Sequence, residues 1–175
     1  MVIDQEQEYL EYIRKHRANV KTAFYAWKEK SVMGNVLFNE EESINLEKQI
    51  DMHDLSKYSD AEFTAYRKKF FPKSPEEVFE DFEFEKAVAH HYNSNPHHWQ
   101  WWVIPKVENV CIPIPTIYII EMLCDWTAMS FQKGGSVVEW FESELPKMLL
   151  HEKTKETIRS LILEFEEALQ EMRKL

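Results

Sequence analysis

The feature that most constrains the fold is an apolar repeat of three and four positions near the start of the chain. Between residues 9 and 27, buried-type side chains recur at the intervals typical of one face of an α-helix. The members of this stripe are Tyr9, Ile13, His16, Val20, Phe24 and Trp27. We therefore expect a helix over about residues 4 to 32 that buries the stripe, with His16 pointing inward.

The same helical signals continue along the chain, whereas the alternating pattern of strands is nearly absent. Capping residues, glycines and prolines divide the rest into six further helices. The expected limits of the first five of these are Asn39 or Ser43 to the His53-Asp54 pair, a Ser59–Glu62 capping box to Pro72, Ser74-Pro75 to about His91, Pro115 to Gly134, and Ser136 with Glu139 to Pro146. The last is an amphipathic helix with the apolar stripe Ile158, Leu161, Ile162, Phe165, Leu169 and Met172. We expect an all-α, single-domain bundle of about seven helices over residues 1–175.

Composition excludes several broad classes of protein. The chain has 175 residues, 44% of them hydrophobic, and only 3 Gly, which suits one core and is unlike a disordered sequence. A formal net charge of -10 disfavours an extended nucleic-acid or anionic-membrane surface. There is no signal-peptide pattern at the start and no apolar run of membrane-spanning length. These features predict a cytoplasmic protein and leave its oligomeric state open.

Two carboxylates interrupt the most apolar segment of the chain. Glu121 and Asp125 are four residues apart and therefore share one face of a buried helix. Buried carboxylates need partners. A divalent cation bound by His16, the His53-Asp54 pair and Asp125 would supply one. Imidazole and carboxylate ligands suit iron, manganese, zinc, nickel or cobalt.

The order of these residues, a His, then a His-Asp pair, then an Asp, resembles the HD-domain superfamily of metal-dependent phosphohydrolases. His16-Arg17-Ala18-Asn19-Val20 is similar to the family's His-x-x-x-Val, and His53-Asp54-Leu55-Ser56-Lys57 is similar to a variant of its His-Asp motif. Cys124-Asp125-Trp126 resembles the closing Asp. The resemblance covers about residues 9–131, with the helices of residues 136–175 packing on that core. The same motifs also resemble an uncharacterised bacterial and phage family.

This resemblance implies hydrolysis of a small phosphorylated metabolite, with a nucleotide favoured, by water activated on one or two divalent ions. Asp54 is then both a metal ligand and a catalytic residue, and Lys57 contacts the phosphate, which suits a compact cation. For Glu121 three roles are open: general base, partner that orients a metal ligand, or ligand of a second ion. Glu121 can equally pair with a neighbouring lysine.

Four of the seven histidines fall within nine positions, at His90, His91, His97 and His98. The run is similar to the extra histidine pairs of HD subfamilies that hold two metal ions, but it lacks the motif of the cyclic-dinucleotide phosphodiesterases. We expect His91, and next His90, to bind metal. His97, His98 and Trp99 are weaker candidates for contacts with the substrate, Trp99 by ring stacking. A loop held together by histidine hydrogen bonds is the structural alternative.

Two other functions fit the same residues. Extra histidines also occur in HD-type proteins with a di-iron centre that activates oxygen, so an oxygenase is the alternative enzyme. A metal-stabilised binding protein without turnover is the third hypothesis, because a fold alone does not determine function.

Overall fold

Seven α-helices make up most of the described part of the chain. A computed structural model describes residues 4–31, 38–77, 80–108 and 110–174. The helices are α1 (Gln5–Lys30), α2 (Glu40–Asp51), α3 (Phe63–Phe70), α4 (Asp81–Ser94), α5 (Thr116–Lys133), α6 (Val137–Glu144) and α7 (Glu152–Met172). Short 3-10 helices cover Leu55–Tyr58, Trp99–Trp102 and Leu145–Lys147. In these ranges extended backbone pairs only at the isolated Val103–Cys111 bridge. The prediction of an all-α fold with seven helices is confirmed.

Several helix ends form as the capping pattern predicts. The Asn39 side chain accepts a hydrogen bond from the Glu42 backbone N–H, and the Glu42 carboxylate accepts one from the backbone N–H of Asn39, so α2 begins with a full capping box. Ser136 accepts a hydrogen bond from the Glu139 N–H at the start of α6. These local bonds satisfy N–H groups that have no partner inside the helix.

The predicted starts of the third and fourth helices are wrong. No capping box forms between Ser59 and Glu62: α3 begins at Phe63 without a side-chain cap, because the Glu62 carboxylate turns inward to bind histidines. The fourth helix begins at Asp81 rather than at Ser74-Pro75. Tertiary contacts therefore override two local capping patterns.

The hydrophobic core lies between α1, α5 and α7. Trp27 of α1 and Phe165 of α7 stack with ring centroids 5.2 Å apart and planes 8° apart. Ile120 and Leu123 of α5 and Leu161 of α7 are fully buried in the same core. No helix in the described ranges combines the length and apolarity required to cross a membrane. This three-helix core holds α1 and α5 side by side, which sets the positions of their polar residues.

Candidate metal centre

Three elements bring the predicted ligands together. His16 lies on α1, Asp125 lies on α5, and His53 and Asp54 lie in the turn that follows α2. The prediction that the second helix runs up to this pair is slightly wrong, because α2 ends at Asp51. Arg17 binds the backbone carbonyl oxygens of Asp51 and His53, at 2.6 and 2.8 Å.

The first cluster contains His16, His53, Asp125 and one oxygen of Asp54. His16 Nε2 lies 3.1 Å from Asp125 Oδ1, 3.4 Å from His53 Nε2 and 3.7 Å from Asp54 Oδ2. His53 Nε2 is also 3.7 Å from Asp54 Oδ2. Ligand atoms about 2.1 Å from one ion lie about 3 to 4 Å from each other. The four residues predicted from the sequence therefore converge at the spacing of a single metal site.

The second cluster contains His91, His97, His98 and the other oxygen of Asp54. Asp54 Oδ1 lies 3.5 Å from His91 Nε2 and 3.6 Å from His97 Nε2. The Nε2 atoms of His91 and His98 are 2.8 Å apart. One nitrogen of each imidazole and one oxygen of Asp54 lie within 4.8 Å of one another. Asp54 thus faces one histidine cluster with each carboxylate oxygen.

The polar atoms of the centre fit a cation. Asp54 Oδ1 and His97 Nε2 are buried, and neither has a hydrogen-bond partner among the described residues. An unpaired buried polar atom destabilises the folded state, because it has lost its hydrogen bonds to water without gaining another partner. A metal ion would satisfy both atoms with ligand types that divalent transition metals accept. These buried His and Asp groups could therefore hold a metal ion.

The backbone of Asp54 is unusual. Its φ of 57° is the only positive φ of a residue other than glycine in the described ranges. A left-handed conformation is unfavourable for most L-residues, although Asp and Asn tolerate it better than others. This conformation ends the helical path after α2. Sequence periodicity could not indicate it.

Glu121 orients one histidine of each cluster. Its Oε1 binds His53 Nδ1 at 2.8 Å and His97 Nδ1 at 3.0 Å. Its Oε2 accepts a hydrogen bond from Gln49 Nε2 at 2.6 Å. The two rings are thereby held with Nε2 toward the clusters. Of the roles left open for Glu121, the geometry favours orienting the ligands.

Glu62 performs the same task for His91. The Glu62 side chain is buried, with Oε2 2.9 Å from His91 Nδ1 and Oε1 2.7 Å from His90 Nδ1. The His90 side chain is 42% exposed, and it is absent from the groups of described residues whose ligand atoms converge. The structure therefore places His91 in the second cluster and His90 behind it. His97 and His98, weak candidates for substrate contacts that could also reach a second ion from the loop, join His91 as candidate ligands.

The charged groups of the centre shift the pKa values of one another. Burial acts to raise the pKa of Asp54, but Lys57 and then the histidines around it outweigh burial and hold that pKa well below its usual range. Burial likewise opposes ionisation of Glu121, yet hydrogen bonds from His53 and His97 lower its pKa to about 2. Burial lowers the pKa of His98. The carboxylates are therefore ionised and His98 is neutral, which are the forms that bind metals.

Lys57 lies beside Asp54. Its Nζ is 2.7 Å from Asp54 Oδ2, and its side chain is 17% exposed. Burial acts to lower the pKa of Lys57, but the Asp54 carboxylate more than offsets that effect and the net pKa is raised. Lys57 is therefore a fixed positive charge at the edge of the first cluster.

A cavity of about 760 Å³ reaches the centre at His98 and Asp125. Trp99, predicted as a ring that stacks on the substrate, lines this cavity. The neighbouring Trp102 donates a hydrogen bond from Nε1 to the carbonyl oxygen of Pro96 at 2.8 Å. The volume is in the range of small-molecule sites.

Sequence reasoning missed three residues that support the clusters: Arg17, Gln49 and Glu62. Arg17 and Gln49 sit on the outer parts of helices that otherwise look solvated, and Glu62 matched a capping box. Arg17 immediately follows His16, and Gln49 is one turn before His53, which is the only sequence signal that could have drawn attention to them.

Together the fold and this centre define an all-α protein with a buried histidine–carboxylate site suited to metal. A model described as a family of unknown function, DUF5662, matches residues 5–164. The chain belongs to this family. The matched range includes every candidate ligand from His16 to Asp125. No curated protein and no solved structure matches the chain.

Proposed function

We propose that the protein is an HD-type, metal-dependent phosphohydrolase that acts on a small phosphorylated metabolite, with a nucleotide favoured. The observation that carries the proposal is the position of Asp54, whose two oxygens face two separate histidine clusters. Two adjacent metal sites joined by a carboxylate are a common arrangement for hydrolysis of phosphate esters. The order of the ligands along the chain, which resembles the HD superfamily, supports the same conclusion.

The residues of each cluster have defined tasks in this proposal. His16, His53 and Asp125 hold one divalent ion, His91, His97 and His98 hold a second, and Asp54 contributes to both. Manganese, iron, cobalt, nickel and zinc all suit these ligands. Such ions, when bound, lower the pKa of coordinated water and polarise a phosphoryl oxygen.

Lys57 provides the positive charge for the phosphate. Its ammonium group is held 2.7 Å from Asp54 Oδ2 and stays protonated, because the Asp54 carboxylate raises its pKa. A phosphate oxygen placed beside Asp54 would therefore meet a charged donor without a large rearrangement. Glu121 lies on the far side of His53 and His97, so in this proposal it orients ligands and does not contact the substrate.

The size and charge of the surroundings favour a small substrate. The cavity of about 760 Å³ ends at His98 and Asp125, so a metabolite bound in it would lie next to both clusters. The net charge of -10 disfavours a long nucleic acid, because phosphate backbones are held by extended basic surfaces.

A di-iron oxygenase is the second candidate. The specific observation in its favour is the second cluster itself, in which three imidazoles face one Asp54 oxygen. Neutral histidines together with carboxylates are suitable ligands for iron. The distinction between the two enzymes therefore depends on the metal and on the reaction, and both can be measured directly.

The test combines elemental analysis with two activity assays. Protein purified without added metal is analysed for bound metals, then assayed for phosphate release from nucleotides and sugar phosphates and for oxygen uptake. We expect up to two divalent ions per chain and phosphate release. Two irons with oxygen uptake would favour the oxygenase. Bound metal without either activity would favour a metal-stabilised binding protein.

His91→Ala and His90→Ala form a matched pair of variants. His91 lies in the second cluster, whereas the adjacent His90 is partly exposed and contacts Glu62. His91→Ala should reduce the metal content by about one ion per chain, and His90→Ala should change it little. Equal loss in both variants would contradict the assignment of the second cluster.

A further inference from the structure

The cavity beside the centre has an aromatic wall in which Trp140 is the most exposed indole. Trp126 is only 8% exposed and stacks on Phe141 with centroids 5.7 Å apart. Trp140 contacts Trp126 at 4.8 Å but remains 39% exposed. The Trp140 ring is therefore held by a rigid neighbour and still offers apolar surface to the cavity. An indole in this position is a platform on which a planar ring can stack.

Charges along the cavity balance each other. Away from His98 and Asp125, its charged lining residues are two lysines and two glutamates: Lys133, Glu139, Glu144 and Lys147. Lys147 already pairs with Glu144 at 2.7 Å. Since neither sign dominates, this part of the cavity is suited to the neutral portion of a ligand, whereas the negative phosphate belongs at the metal end.

Gln100 adds a polar group to the same cavity. It lines the cavity, but its Oε1 is closed off from the cavity and is buried without a hydrogen-bond partner among the described residues. A turn of the side chain toward the cavity would give this atom a partner, since a glutamine amide offers a donor and an acceptor side by side. This combination matches the adjacent donor and acceptor on the edge of a base such as adenine.

We propose that this cavity binds a nucleoside, with its base stacked on Trp140 and its edge bonded to Gln100 after the amide of Gln100 turns toward it. The two residues are then specificity-determining residues for the base. The orientation of the phosphate toward His98 and Asp125 rests on the proposed phosphohydrolase function. Binding of the base does not, because none of the residues that recognise it belongs to either histidine cluster.

The test measures nucleoside binding by isothermal titration calorimetry on the full chain as purified. Nucleosides lack phosphate, so no turnover is involved. Trp140→Ala should weaken binding about tenfold, since base stacking on an aromatic residue is of this order, and Trp140→Phe should retain most of the affinity. Trp101→Ala is the matched control, because Trp101 is similarly exposed, at 42%, but does not line the cavity.

Gln100→Leu tests the second contact. The wild type should prefer adenosine among the four common nucleosides, and Gln100→Leu should bring the four affinities within about threefold of each other. An unchanged preference in this variant would overturn the role of Gln100.

Absence of nucleoside binding, or equal effects of Trp140→Ala and Trp101→Ala, would overturn the proposal as a whole. These results are distinct from a failure of the proposed function. A protein that binds nucleosides through Trp140 but releases no phosphate would refute the hydrolase alone. A protein that releases phosphate from sugar phosphates without binding nucleosides would refute the base site alone.

Discussion

Three histidines of the two clusters have their outward ring nitrogen held by a buried carboxylate. Glu121 binds His53 and His97, and Glu62 binds His91. Such a bond determines which nitrogen carries the proton and which one faces the metal. The carboxylates should therefore affect the affinity for a metal ion, although they lie behind the candidate ligands.

Replacement of Glu121 by Gln should weaken metal binding at both clusters. The amide keeps the shape of the side chain but removes the charge that stabilises the two N–H donors. We expect affinity to fall about 10- to 100-fold, as for other partners of metal ligands, in calorimetric titrations with Mn²⁺ or Co²⁺. Glu47→Gln serves as the control, since Glu47 forms a surface pair with Lys28. Similar losses in the two variants would argue against an orienting role.

Asp54 and Lys57 should separate metal binding from turnover. Asp54→Ala removes the carboxylate shared by the clusters and should abolish both bound metal and phosphate release. Lys57→Ala should keep the metal but lower turnover or the affinity for phosphate by at least about tenfold. Metal content and phosphatase kinetics measured on the same preparations distinguish the two. Loss of metal in both variants would show that Lys57 is required to form the site itself.

The candidate ligands of the first cluster were predictable from the sequence because each carries a local signal. His16 falls on an apolar stripe, His53 and Asp54 form an adjacent pair, and Asp125 is a carboxylate in an apolar helix. Glu62 carries no such signal, because its burial depends on a contact between α4 and the segment before α3. Among the four clustered histidines, the sequence favoured His91 but did not decide which of the others face the centre.

Helix starts were predicted correctly where residues within the same element determine them. The starts of α2 and α6 follow from capping residues that act within a few positions. The start of α4 was not predicted correctly, because Glu77, which follows Pro75 by two residues, binds Arg67 of α3. There the Glu77 carboxylate binds both guanidinium nitrogens of buried Arg67 at 2.6 Å and the backbone N–H of Lys73. The ion pair between Arg67 and Glu77 thus forms where the sequence predicted the first turn of a helix.

The Arg67–Glu77 pair should make stability depend on pH. Hydrogen bonds from the Arg67 side chain, and next the one from the Lys73 backbone, lower the pKa of Glu77 from 4.5 to about 2. A lowered carboxyl pKa stabilises the folded state above about pH 4.5, and that contribution is lost as the pH falls toward 2. The urea midpoint of Glu77→Gln should therefore lie below that of the wild type at pH 6, and the gap should close at acid pH.

The difference in urea midpoint between Glu77→Gln and the wild type does not include the contribution of the metal centre, because that centre is the same in both proteins. Glu83→Gln is the control, since Glu83 forms an exposed pair with Lys86 within α4, and such pairs contribute little. A constant gap between Glu77→Gln and wild type from pH 6 to pH 2.5 would contradict the proposed linkage.

At the scale of the whole molecule, the centre connects helices that are distant in the sequence. Its candidate ligands come from α1, the turn after α2, the α4 region and α5. A cation bound only by the folded chain stabilises that state by RT ln(1 + [L]/Kd). Metal should therefore act as a cross-link between these elements.

Thermal unfolding should show this effect directly. At a metal concentration about 100 times Kd, the free energy of unfolding should rise by about 2.7 kcal/mol per site, and the melting temperature should rise with it. Calorimetry with and without Mn²⁺ measures the change, with Asp125→Ala as the variant expected to respond less. A melting temperature that is independent of metal in the wild type would argue against binding at the centre.

The left-handed backbone of Asp54 also has a consequence for mutational tolerance. Position 54 is subject to two requirements at once: a conformation that few side chains accept, and a carboxylate for the clusters. A library of all substitutions at this position, scored separately for abundance and for metal content, should separate them. Asn and Gly should persist in the abundance screen while Val, Ile and Thr are depleted, because β-branched residues are least compatible with positive φ. In the metal screen only Asp should remain.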